Sequence, residues 1–133
     1  MESIARFRST MTIAGRVAAT ERSPVTAEHV AFALASDSDA GHPVARRVRE
    51  YGDARGWGSG DEHRGFAERI GLRRRPACEP TLQREIERAA AGGDPDIRAV
   101  LRSMHRRGEL VDLSEFVSAS GLDLAGWLGP GDD

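Results

Sequence analysis

The apolar residues of this chain recur at intervals of three and four positions, and this spacing constrains the fold more than any other feature. In the first segment, Ile4, Phe7, Met11 and Ala14 follow one stripe of a helix. Later segments repeat this spacing, and no segment shows the apolar–polar alternation that is typical of half-buried strands. The sequence therefore predicts an all-α fold of about seven or eight short helices.

Composition narrows the class of protein. A chain of 133 residues is long enough for one core, so we expect residues 1–133 to form a single domain. The net charge of −2 at pH 7 gives no general attraction to nucleic acid or to acidic membranes. No apolar run approaches the roughly 20 residues that cross a bilayer, and the first ten residues lack the apolar centre of a signal peptide. We expect a cytoplasmic protein that binds neither nucleic acid nor a membrane.

The stretch 24–34, PVTAEHVAFAL, predicts an apolar helix with polar residues at its start. Pro24 disfavours a helical residue before it, and Thr26 is a suitable N-cap. Glu28 falls in the first turn, where its charge complements the helix dipole. His29 is expected to pack beneath the helix and to donate a hydrogen bond to a neighbouring carbonyl group. Thr26, Glu28 and His29 are the candidate residues for binding a ligand or partner.

Further helices are predicted from the same spacing, with turn-forming residues at their ends. One begins at Pro43 and stops at Gly52. In another, the charges alternate along the chain, and Glu85 is placed on the solvent-facing side. The remaining predictions are a helix within 61–72, one capped by Asp94, one capped by Asp112 and a last turn capped by Asp123.

The two halves of the chain have similar apolar patterns. Residues 28–34, EHVAFAL, match residues 95–101, PDIRAVL, in their apolar positions. We assign a first repeat to about 3–52 and a second to about 78–128, joined by a connection rich in Gly and Arg over 53–77. Such a duplication predicts pseudo-twofold symmetry, in which the apolar faces of the two repeats pack together.

Residues 25–52, VTAEHVAFALASDSDAGHPVARRVREYG, resemble the N-terminal domain of the Clp unfoldases of the ClpA and ClpC type. The shared pattern is a Thr and then Glu-His at the start of an apolar helix, followed by a short loop and a helix that ends in Gly. The resemblance covers about residues 3–52 and is faint over 78–128. It implies a double repeat of four helices and a role in presenting substrates or adaptors to an unfoldase.

Some members of that family bind phosphorylated arginine, and the Glu of each repeat accepts the guanidinium. The resemblance implies this role for Glu28, whereas the second position falls on Pro95, which has no side-chain acceptor. No GxxxxGK[ST] phosphate loop is present. The expected protein is therefore a stand-alone binding module without ATPase activity. Its expected partner is a peptide, an adaptor, a Clp unfoldase component or an arginine-phosphorylated substrate.

An alternative is a small enzyme or small-molecule-binding protein that reuses this scaffold, for example in a biosynthetic pathway. Its acid–base candidates are Glu28, His29 and His42, if the fold brings them together. The histidines and Cys78 lack the spacing of metal ligands, and no catalytic triad is recognisable. We therefore assign no catalytic residue, metal or cofactor. All 19 basic residues are arginines, so lysine-based covalent catalysis is excluded for this chain.

Overall fold

The structure is a computed structural model that describes residues 2–37, 41–57, 77–93 and 96–129. These residues form seven helices and no strand, so the prediction of an all-α fold is confirmed. The helices are α1 (Glu2–Glu21), α2 (Ala27–Asp37), α3 (Pro43–Ala54), α4 (Pro80–Ala91), α5 (Ile97–Arg106), α6 (Val111–Ser118) and α7 (Leu124–Leu128). None of these helices has both the length and the apolar content that a bilayer crossing requires. The helix predicted within 61–72 lies outside the described residues.

The starts of α3 and α7 agree with the sequence prediction. Pro43 is the first residue of α3, where its missing N–H leaves no helical bond unmade. The cap of α3 is His42, whose Nδ1 accepts from the N–H of Val44 at 3.1 Å. Asp123 caps α7, since its Oδ1 accepts from the N–H of Ala125 at 3.2 Å. Both helices therefore begin where a nearby side chain binds a backbone donor that the helix leaves free.

Two other predicted caps are wrong. The cap of α5 is Asp96, which accepts from the N–H of Arg98 at 3.0 Å, and the predicted cap Asp94 lies outside the described residues. Asp112 lies inside the first turn of α6, where it complements the helix dipole without capping the helix. In both segments more than one residue could start a helix, and the sequence alone did not distinguish them.

Helix α2 lies at the centre of the core. Its residues from Val30 to Ala35 are all buried, which explains why this segment is apolar on every face. Helices α1 and α3 pack against α2, and α5 contacts both α1 and α2. Helix α4 packs on α5, α6 on α3, and α7 on α3, α5 and α6. The core is built mainly from Ala, Val and Leu, as the low aromatic content predicts.

Gly52 does not end α3, so the predicted stop at this residue is wrong. The helix continues to Ala54, and Gly52 is buried inside it. The rings of Phe32 and Trp57 lie against its backbone, and an added Cβ atom would come within 2.7 Å of Trp57 Cε3 and still closer to Phe32. A glycine is required here because two aromatic side chains occupy the space that a side chain would fill.

The turn between α1 and α2 is joined to the segment that precedes α4. The N–H of Val25 donates to the carbonyl of Ala77 at 2.9 Å, and the N–H of Glu79 donates to the carbonyl of Val25 at 2.8 Å. Cys78 lies between these two bonds and is partly buried, which raises the pKa of its thiol. The second half of the chain is thereby attached directly beside the start of α2.

Candidate functional site

The start of α2 is held by reciprocal hydrogen bonds between Thr26 and His29. The N–H of His29 donates to Thr26 Oγ1 at 3.4 Å, and the N–H of Thr26 donates to His29 Nδ1 at 3.0 Å. Thr26 Oγ1 also lies 3.2 Å from Nδ1. This is the arrangement of a capping box, with an imidazole in the position that Glu or Gln usually occupies. Thr26 thus lies where the sequence places it, immediately before the helix.

His29 is buried beneath this cap, with 2% of its surface exposed. Its Nε2 lies 2.6 Å from Glu21 Oε1. Because Nδ1 accepts from a backbone N–H, the proton of the neutral ring is on Nε2, which donates to the carboxylate. The predicted carbonyl partner is wrong, since His29 donates to the side chain of Glu21. Both ring nitrogens are engaged, so this arrangement leaves neither free to act as a general base.

Glu21 joins His29 to an aromatic cluster that the sequence analysis did not identify. Its Oε2 accepts from Trp57 Nε1 at 2.7 Å, and the rings of His29 and Trp57 lie 4.9 Å apart. Trp57 also meets Phe32 and Tyr51 edge to face, with centroid distances of 5.3 and 6.0 Å. Trp57 falls in the predicted connection between the repeats, yet it packs into the core of the first half.

Glu28 lies in the first turn of α2, as predicted, and is half-buried. The hydroxyl of Tyr51, on α3, donates to Glu28 Oε2 at 2.8 Å. Burial, and then the hydrogen bond and charge of Glu28, raise the pKa of Tyr51 above its ordinary value, so the phenol remains a neutral donor. A carboxylate can accept about four hydrogen bonds. The bond from Tyr51 therefore orients Glu28 and leaves it able to accept further donors.

His42 does not join this group. It caps α3, and no hydrogen bond connects it to Glu28 or His29 in the described part of the chain. The three acid–base candidates of the enzyme alternative are therefore not assembled into one hydrogen-bonded unit. Nor do three or more His, Cys, Asp or Glu side chains converge on a possible metal position within the described ranges.

A second carboxylate network connects α4 to α5. Glu85 is 5% exposed, so its predicted place on the solvent-facing side is wrong. Ser103 Oγ donates to Glu85 Oε1 at 2.6 Å, and Arg107 Nη2 lies 2.8 Å from Oε2, with Arg88 at 3.9 Å. The hydrogen bond from Ser103 and the attraction of the two arginines lower the pKa of Glu85 although burial opposes them. Glu85 is thus an ionised anchor between two helices.

Comparison with known proteins gives no match: no family model fits the chain, and no curated protein or solved structure is significantly similar to it. The geometry at the start of α2 is therefore interpreted from its own contacts, charges and burial.

Proposed function

We propose that this chain is a protein-binding module that recognises a peptide, an adaptor or a component of a Clp-type unfoldase through the start of α2. The observation that supports this proposal is the placement of Glu28. Its carboxylate is half-buried at the first turn of α2, is oriented by Tyr51 and retains acceptor capacity. A cationic side chain of a partner, above all a guanidinium, is the group that such an acceptor binds best.

The support beneath Glu28 favours binding because it is already ordered. Thr26 and His29 cap the helix, and Glu21 fixes His29 and Trp57 below it. An acceptor that is held in place before binding loses less conformational entropy when the partner arrives. The partner's guanidinium would therefore meet a carboxylate in a defined orientation on a rigid helix start.

The packing of the helices supports the proposed two-repeat arrangement. Helix α2 contacts α5, and α3 contacts α6. The stretches 28–34 and 95–101, which match in the predicted repeat, fall on α2 and at the start of α5, so the first of these contacts joins matched segments. The proposed surface at the start of α2 adjoins the junction of the halves, where Val25 is bonded to Ala77 and Glu79.

The substitution Glu28→Gln tests the proposal. Glutamine keeps an oxygen that accepts from Tyr51, so the helix start is preserved while the negative charge is lost. Because hydrogen bonds to charged groups contribute about 1.5–3 kcal/mol, we expect at least about tenfold weaker binding. The partner is first isolated from an extract of the native cells and identified, and its affinity for both proteins is then measured by calorimetric titration.

Glu109→Gln is the matched control, because Glu109 is an exposed carboxylate in the turn before α6. It should leave the affinity unchanged. A second arm uses matched peptides that carry arginine, phosphoarginine or the neutral analogue citrulline. We expect binding of one or both of the peptides that keep a guanidinium group and none of the citrulline peptide. Equal affinity of Glu28→Gln and the unsubstituted protein for the isolated partner would contradict the proposal.

A further inference from the structure

We propose that His29 is a proton-sensitive cap that controls the order of the turn from Thr26 to Glu28. The basis is the reciprocal pair at the helix start. A capping box normally uses Glu or Gln, whose side chain accepts from the N-cap N–H. Here the acceptor is Nδ1 of a histidine, 3.0 Å from the N–H of Thr26. Histidine is the side chain whose charge changes most readily near neutral pH.

Only the neutral ring can make the observed bonds. Nδ1 needs its lone pair to accept from Thr26, and Nε2 then donates to Glu21. In the imidazolium both nitrogens are donors, so rotating the ring cannot restore an acceptor. Protonation of His29 therefore places two N–H groups opposite each other at the N-cap.

The remaining bonds of His29 survive protonation. The contact with Glu21, at 2.6 Å, becomes an ion pair. Thr26 Oγ1, at 3.2 Å, can reverse its role and accept from Nδ1–H. Only the backbone N–H of Thr26 loses its acceptor. The expected change is thus local: the first turn of α2 loosens while the ring stays anchored in the core.

The charged and titratable groups around His29 are few in the described structure. Helix α1 contributes Glu21, and α2 itself contributes Glu28. The segment from α3 onward contributes the neutral donors Tyr51 and Trp57, with Arg55 lying over the Tyr51 ring at 4.2 Å. The buried residues of α5, which packs on α2, are all apolar: Ile97, Val100, Leu101 and Met104. Among the described residues, Glu21 is the charged group that contacts the ring.

The consequence for binding rests on the proposed function. Glu28 lies between the two residues of the cap, so its orientation depends on an ordered first turn. Protonation of His29 would loosen the carboxylate that the partner binds and would weaken binding at acidic pH.

The test follows the full chain by NMR without any partner, so its outcome does not depend on the proposed function. The imidazole ¹⁵N shifts report the protonation of His29, and hydrogen exchange reports the protection of the Thr26 amide. The measurements compare about pH 8 with about pH 5.5, the range over which histidine ordinarily changes its charge. Over the same range the protection factor of Thr26, corrected for intrinsic exchange, should fall about fivefold, the loss expected for one helix cap. The amide of Leu34, in the last half of α2, should not change.

The variant His29→Gln keeps an acceptor at every pH and cannot titrate. Its Thr26 protection should be equal at both ends of the pH range. Constant Thr26 protection in the unsubstituted protein while His29 gains its proton would overturn the proposal, and so would a ring that stays neutral until the chain unfolds. These two measurements decide the question even if the variant does not fold. If the Thr26 amide responds to pH but Glu28→Gln does not weaken binding, only the proposed function is rejected and the proton-sensitive cap stands.

Discussion

Glu21 and Glu85 each join two parts of the chain, but their hydrogen-bond donors differ in charge. Glu21 accepts from His29 and Trp57, and in the neutral form of the ring neither donor compensates its charge. Glu85 accepts from a serine and from Arg107, whose positive charge neutralises it. The side chain of Glu21 is 35% exposed, whereas that of Glu85 is 5% exposed.

This difference separates the proposed binding region from a structural one. At the start of α2, Glu21 and Glu28 are held by uncharged donors near the surface, so their charge remains available to a cationic partner. Between α4 and α5, the charge of Glu85 is already satisfied by the chain's own arginines. We therefore expect binding to depend on the charges of the first network, formed around Glu21 and Glu28, and not on the charge of the second network, formed around Glu85.

The largest effect should come from Gly52→Ala, which disturbs the first network without touching its polar atoms. The new methyl group would collide with the rings of Phe32 and Trp57. Trp57 would have to move, and this would strain its hydrogen bond to Glu21. Alanine favours a helix by about 1 kcal/mol over glycine, but overpacking of a core outweighs this gain. We expect the free energy of unfolding in urea to fall by about 3 kcal/mol.

Gly41→Ala is the matched control, because no atom of the described residues lies within 4 Å of the Cβ position at Gly41. It should change the free energy of unfolding by less than about 0.5 kcal/mol. Equal losses of unfolding free energy in the two variants would show that the rings of Phe32 and Trp57 are not packed tightly against Gly52. The hydrogen bond from Trp57 to Glu21 would then not depend on this packing.

Gly52 and Glu85 also show what the sequence could predict. The three-and-four spacing predicted the seven helices of the described residues because burial of an apolar stripe needs no knowledge of the partner helix. The role of a single residue depends on that partner. A glycine near a helix end has the same appearance whether it stops the helix or admits an aromatic ring. Glu85 lies among alternating charges that look solvated, yet it is buried on the helix that packs against α5.

The candidate site was predicted in part for the same reason. Thr26, Glu28 and His29 are close in sequence, so local capping chemistry identified them. Glu21 and Trp57 are 36 positions apart, and the bond between their side chains has no signal in the sequence. The bond from Tyr51 to Glu28 likewise has no local signal, because it depends on how α3 lies against α2.

The next effect should come from Glu85→Gln, which tests the charged network. Glutamine can still accept from Ser103, but Arg107 loses its ionic partner. Because a hydrogen bond to a charged group contributes about 1.5–3 kcal/mol, we expect the free energy of unfolding to fall by about 2 kcal/mol at neutral pH. Glu87→Gln, at an exposed neighbour on α4, is the control and should have little effect.

The same variant should change the response to acid. The pKa of Glu85 is lowered in the fold, first by the bond from Ser103 and then by the arginines. The unfolded chain therefore binds this proton more readily, and the stabilisation is complete only above the ordinary glutamate pKa of about 4.3. As pH falls below that value, the unsubstituted protein should lose stability more steeply than Glu85→Gln. Parallel curves in urea titrations at several pH values would argue against an ionised Glu85.

The smallest effect should come from Tyr51→Phe, which removes the hydroxyl that donates to Glu28 in the first network and keeps the aromatic ring. Glu28 loses a hydrogen bond, and we expect the free energy of unfolding to fall by about 1 kcal/mol.

Because Tyr51 is the single tyrosine of the chain, phenolate absorbance reports on it alone. Its pKa is raised by burial and then by Glu28, so the folded protein holds this proton more tightly than the unfolded chain. The corresponding stabilisation is lost as pH rises above about 10. Phenolate should therefore appear only well above that pH in the folded protein. In Glu28→Gln its midpoint should move down but stay raised, because burial, the largest cause, is unchanged. Phenolate that forms near pH 10 while the circular dichroism remains helical would show that Tyr51 is not hydrogen-bonded to Glu28. Glu28 would then lack its uncharged donor, and the contrast with the arginine-bound Glu85 would not hold for it.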